Sequence, residues 1–305
     1  MVSMVSMADF VPGDGLDRLS VNMWTTKGWS LREAVDGCVR AGVPGIGLWR
    51  DKVAEAGVDL AAELIRDSGL TVTSLCRGGF FTGDPAHRAA AAADNRRAVD
   101  DAAALGTDVL VLVAGGLPAG STDLAGARSQ VADGIAALAP YAADRGVRLA
   151  IEPLHPMFCA DRAVLSTLGQ ALDLAEQVTA GTGSPNVGVC IDTYHVWWDP
   201  QVLAQIDRAG PRIYAFQVCD FLVPIPPDVL LGRGHVGDGV IDIPMLTRAV
   251  LATGYPGLIE VEIFNQQVWD SPGEQTLQTV ANRYRRYLSA IANEPAGGAG
   301  RPGPC

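Results

Sequence analysis

Short apolar runs rich in Val, Ile and Leu alternate along this chain with longer amphipathic stretches, and Gly, Pro, Asn or Asp stands at nearly every junction. Runs of that length and composition suit buried strands, whereas apolar residues recurring every three or four positions suit helices. The pattern predicts eight strands, over residues 19–24, 45–49, 71–76, 108–113, 148–153, 187–192, 213–218 and 258–263. Helical stretches over 30–42, 59–69 and 123–146 each close on a glycine, the residue that most easily takes a left-handed C-terminal cap. Residues 271–291 supply the eighth helix.

Eight strand–helix units in succession place the chain in the α/β class and point to a closed parallel (β/α)₈ TIM barrel, forming one domain over 17–292. Residues 1–16 read as an N-terminal extension, and the Gly/Pro-rich end, 293–305, as a disordered tail. An open doubly wound sheet is the competing architecture, but the glycine fingerprint GxGxxG is missing after the first strand.

Composition narrows the class of partner. The 305 residues are 48% hydrophobic and 19% charged, which suits an ample core. Net charge is −11, with only two lysines, Lys27 and Lys52, and no block of arginines. Such a surface repels phosphate backbones, so nucleic acid is not an expected partner. No run of about 18 apolar residues occurs, so no membrane span is expected. The six cysteines form no CxxC pair, and the first residues lack a basic start followed by an apolar run; both features suit a reduced, cytoplasmic protein. A small molecule is the expected partner, and a homo-oligomer is compatible with the sequence.

The informative residues interrupt apolar strands at their C-terminal ends, the face that carries chemistry in these barrels. The fifth strand ends at Glu152 and the sixth at Asp192. The seventh carries Gln217, with Asp220 just beyond, and the eighth carries Glu260 and Glu262 on one face. Taken singly, a strand-end acid is more often a helix cap or a loop ion pair. Four in register on adjacent strands would crowd one side of the barrel mouth, at a cost of several kcal/mol for each unpaired charge. A divalent metal ion relieves that crowding, and three carboxylates with one amide oxygen suit Mg²⁺ or Mn²⁺. Of the two strand-eight glutamates Glu262 lies nearer the mouth, while Glu260 is expected deeper, paired with an arginine.

The segments IEPLHP, CIDTYH, the QVCD strand end, GRGHVGDGVIDIP and IEVEIFN resemble the xylose-isomerase-like barrel family of sugar phosphate isomerases and epimerases, which includes D-tagatose 3-epimerase and hydroxypyruvate isomerase. The resemblance covers roughly residues 17–290. It implies one metal held by Glu152, Asp192, Gln217 and Glu262, with Glu152 and Glu262 as the proton-transfer pair. Gln217 stands where many epimerases of the family carry histidine, which puts the substrate in doubt. The resemblance also implies that His195 and Arg233 touch substrate oxygens. Trp24 and Trp49, ending the first two strands, and His155, after the fifth, are placed to line the sugar pocket. Asp242 before Ile243 and Pro244 reads as a helix N-cap.

These readings combine into a metal-dependent isomerase or epimerase of a small sugar-like hydroxy-carbonyl compound. A metal gripping a carbonyl oxygen and its neighbouring hydroxyl would acidify the intervening C–H and stabilise an enediolate, between the two glutamates. The alternative on the same barrel is a lyase or dehydratase that eliminates beside a sugar or cyclitol carbonyl. A metal-dependent repair endonuclease would need more histidines than the four present and a DNA-tolerant surface, and a non-catalytic sugar binder would not need two proton-transfer glutamates.

Overall fold

The computed structural model describes residues 15–294, so most of the expected extension, most of the expected tail and Cys305 lie outside the described residues. Eight strands form the barrel: β1 Leu19–Asn22, β2 Gly45–Trp49, β3 Thr71–Gly79, β4 Val109–Val113, β5 Arg148–Glu152, β6 Val187–Asp192, β7 Ile213–Val218 and β8 Ile259–Val261. Each strand is parallel to its neighbours, and β1 closes the barrel on β8 through Leu19↔Ile259 and Ser20↔Glu260. The fold is a (β/α)₈ TIM barrel. A short antiparallel pair, Asp220–Phe221 with Arg233–Gly234, sits outside it, after β7.

Strand ends depart from the sequence reading in two instructive places. β1 stops at Asn22 because its side chain accepts the backbone N–H of Trp24 and caps a short 3₁₀ helix, Met23–Thr26, so Trp24 stands in a turn and does not end the strand. β3 runs on to Gly79, where φ is +114° and a Cβ would lie 1.9 Å from the Val113 carbonyl oxygen; only glycine passes there. Asn95 holds that backbone by accepting from its N–H and donating to its carbonyl.

The helices start and stop for local reasons. Helix Leu31–Arg40 opens on a capping box in which Ser30 and Glu33 satisfy each other's backbone N–H. Asp242 caps helix Ile243–Ala252 by accepting from Met245 N–H, as expected. Gly42, Gly69 and Gly146, closing the three glycine-ended stretches, all hold left-handed φ values. Among the described residues, no helix is long and apolar enough to cross a membrane.

Side chains alternate along each strand between the helix layer and the barrel interior. Leu110, Leu112, Leu149 and Ile151 belong to the large outer core, whereas Val109, Val111, Ala150, Cys190 and Ala215 form a separate inner cluster. The same period carries the inward series upward from Ala150 to Glu152, from Cys190 to Asp192 and from Ala215 to Gln217. The barrel is thus plugged by small apolar residues below and lined with acids above.

Candidate metal centre and active site

Glu260 lies in the lower polar layer. Its carboxylate accepts from Asn22 (2.7 Å), Gln217 (2.8 Å), Ser74 (2.9 Å) and Thr73. Four neutral donors replace the arginine partner expected from sequence, and room for the carboxylate exists because β2 carries Gly47, whose Cβ would fall 2.5 Å from it. Asn22 also accepts from the Trp49 indole N–H at 2.8 Å, so the network reaches the pocket wall.

One layer higher, Glu152, Asp192 and Glu262 are all buried. Among the described residues the cation that ion-pairs with them is Arg233, whose Nη1 donates to Asp192 at 2.7 Å and to Glu262 at 3.0 Å. The guanidinium lies between the rings of Tyr194 (4.8 Å) and Phe264 (4.7 Å), which hold it in place. Arg233, expected to touch substrate, is therefore engaged with two acids of the site. It does not quiet all three: burial and then the Asp192 charge push the Glu152 carboxyl well up, and burial lifts Asp192 against the pull of Arg233. Burial likewise raises Glu262 to about 8, opposed by Arg233 and reinforced by Asp192.

His195 joins Glu152 and Asp192 in a cluster whose ligand atoms lie within 4.8 Å of one another. Its Nδ1 accepts the His155 backbone N–H at 3.1 Å, and its Nε2 faces Arg233 Nη2 at 3.1 Å. A neutral imidazole has one lone pair, and here donors face both nitrogens, so none is left for an ion. Protonation brings no relief, because burial and the Arg233 charge hold the ring's pKa well below its usual value. The carboxylates are the better ligands. Gln217, in register with Asp192 on the next strand, donates to Glu260 while its carbonyl oxygen meets only the weak Cys190 thiol donor at 3.3 Å. The donor set fits a hard divalent cation: three buried carboxyl groups share one guanidinium, so with all three ionised two negative charges would be left for a bound cation to meet.

A cavity of about 420 Å³ opens above this cluster, a size that suits a small ligand. Glu152, His195, Arg233 and Glu262 line its inner part, and Trp24 and Trp49 its wall. Trp24 stacks on Phe264 at 5.3 Å and contacts Trp269, two pocket residues not anticipated from sequence. His155 does not line the cavity. Its ring packs against Trp198 and Phe221 and caps the Pro156–Phe158 turn, and burial lowers its pKa to about 4. Its backbone, not its imidazole, reaches the site.

Residues 35–287 match the family model described as xylose isomerase-like TIM barrel. The chain belongs to this family. Among curated proteins, a 3-dehydroshikimate dehydratase from Pseudomonas putida is 28% identical over 269 residues, 85% of this chain and 39% of that protein. An inosose isomerase from Halalkalibacterium halodurans is 25% identical over 146 residues, 47% of this chain and 48% of that one. The chain thus spans less than half the length of either curated relative. A solved structure from Sinorhizobium meliloti 1021 is 49% identical, covering 89% of this chain and 98% of its own, with a TM-score of 0.86.

Proposed function

We propose that this protein is a divalent-metal-dependent isomerase or epimerase that moves a proton at the carbon beside a carbonyl in a small sugar- or cyclitol-like compound. The observation that carries the reading is the excess of buried carboxylate over cation at the inner end of the cavity. Glu152, Asp192 and Glu262 would hold Mg²⁺ or Mn²⁺, with the Gln217 carbonyl oxygen as the fourth candidate donor. Such an ion, when bound, polarises a carbonyl and favours loss of the adjacent proton.

The remaining chemistry belongs to the chain. A carboxylate serves best as a base when its pKa lies near the working pH, and burial moves Glu152 and Glu262 in that direction. One takes the proton on a carboxylate oxygen and the other returns one. Arg233, anchored by Asp192 and Glu262, holds both carboxylates in position and spreads its charge over the site. His195 stays neutral and so adds no competing charge. Trp24 and Trp49 close the wall and keep water from the developing anion.

Elimination is the second reading, favoured by the dehydratase relative that aligns with 85% of the chain. It shares the first proton abstraction and then expels the neighbouring hydroxyl as water. Metal-loaded protein incubated in heavy water with inosose, 3-dehydroshikimate and a panel of ketoses separates the outcomes by mass. Deuterium uptake with no loss of water supports isomerisation, loss of one water supports elimination, and an unchanged panel contradicts both.

A further inference from the structure

The inner end of the cavity is acidic, but its outer wall is not. Lys27, Arg77 and Arg162, from the segments after β1, within β3 and after β5, line the same space. None of the three side chains has a hydrogen-bond or ion-pair partner among the described residues. Several cations elsewhere in this acidic chain do have acid partners: Lys52 with Glu55, Arg50 with Asp94, Arg145 with Asp100 and Arg208 with Asp173. What sets Lys27, Arg77 and Arg162 apart is that three cations without an ion-pair partner gather at a single cavity.

Aromatic faces hold two of these cations, Lys27 and Arg77, without neutralising them. Lys27 Nζ lies 3.9 Å from the Trp269 ring and 4.5 Å from Trp24, and the Arg77 guanidinium lies 4.3 Å from the Phe80 ring. Phe80 keeps a left-handed φ of 55°, a conformation that a bulky residue holds only where its surroundings require it. Arg77 and Arg162 share the wall of one cavity, and burial, with a smaller part from the like charge of Arg162, pushes the Arg77 pKa down against the pull of Asp51 and Glu152. Arg77 is half-buried and Arg162 exposed, and an anion between or beside two such like charges stabilises both.

We propose that Lys27, Arg77 and Arg162 form an anion subsite, and that the substrate is a hydroxy-carbonyl compound with a carboxylate at the end remote from Glu152 and Glu262. This deepens the proposed function and rests on it. A carboxylate suits the subsite better than a phosphate. In the short helix after β8, Gln266–Trp269, the backbone donors of Gln267 and Val268 are already taken by the Asn265 side chain, which leaves fewer amides there for a phosphate. Asp228 also lines the cavity and would repel a dianion more strongly than a monoanion.

Calorimetric titration of the manganese-loaded protein with 3-dehydroshikimate, neutral inosose and fructose 6-phosphate tests the subsite. The expected result is a preference for 3-dehydroshikimate over inosose of at least about tenfold. That ratio should fall about tenfold in Arg77→Met and in Arg162→Met, with Arg77→Lys retaining most of it. Because only ratios are compared, a general weakening of the pocket cancels. Inosose binding without carboxylate preference, a preference untouched by both methionine variants, or tighter binding of the phosphate ester would overturn the subsite while leaving the proposed function standing. If none of the three binds, the proposed function itself fails and the subsite with it.

Discussion

Glu260, on β8, and Glu262, one residue past its end, lie two residues apart, yet they occupy different chemical worlds. Around Glu260 the barrel supplies four neutral donors, so the charge is met by dipoles that ask for no ion. Around Glu262 it supplies one guanidinium to be divided with Asp192, alongside the further acid Glu152. The lower layer is satisfied as it stands, whereas the upper layer carries charge that folding alone does not compensate. A buried acid marks a site when its surroundings leave it wanting a cation, and burial by itself says little.

Substitution at the upper layer is expected to produce the largest effect. Glu262→Gln and Glu152→Gln should each lower turnover by at least about a hundredfold, the lower end of a general acid–base contribution. Each should leave the urea midpoint unchanged or higher, since a repelling charge is removed. Activity abolished by Glu260→Gln in a stable protein, with Glu262→Gln still active, would reverse the roles of the two layers.

Glu260→Ala sharpens the comparison from the other side. It strands the donors of Asn22, Thr73, Ser74 and Gln217, and each buried donor left unmet costs about 1–3 kcal/mol, lessened where neighbours can pair with one another. A loss of roughly 3 kcal/mol or more in urea unfolding, with the slope unchanged, is expected. A loss below about 1 kcal/mol would mean that the lower network is not a structural one.

Much of this arrangement was legible in the residues themselves, for a physical reason. A strand buried on both faces reads as an unbroken apolar run, so a carboxylate at its end stands out; Glu152, Asp192 and Glu262 were visible in that way. Arg77 interrupts β3 by the same rule, but Gly78, Gly79 and the two phenylalanines after it disguise where that strand ends. Asn22, Thr73 and Ser74 were not legible, because small polar residues within a strand look alike whether they face a helix or a buried acid. Nor could position alone show which part of His155 would matter. It follows a catalytic-end strand, yet the ring turns to Trp198 and Phe221 while the backbone N–H meets His195. The partner of Arg233 depended on the fold of the segment after β7, which the short pairing of Asp220–Phe221 with Arg233–Gly234 sets.

The claim that the upper layer is a cation site is tested most directly by titrating Mn²⁺ into the metal-free protein and into Asp192→Asn, with heat and bound metal measured together. The account predicts one ion per chain for the unaltered protein and at least about a tenfold weaker association for the variant, as loss of a charged ligand requires. Equal stoichiometry and affinity in the two proteins would contradict it.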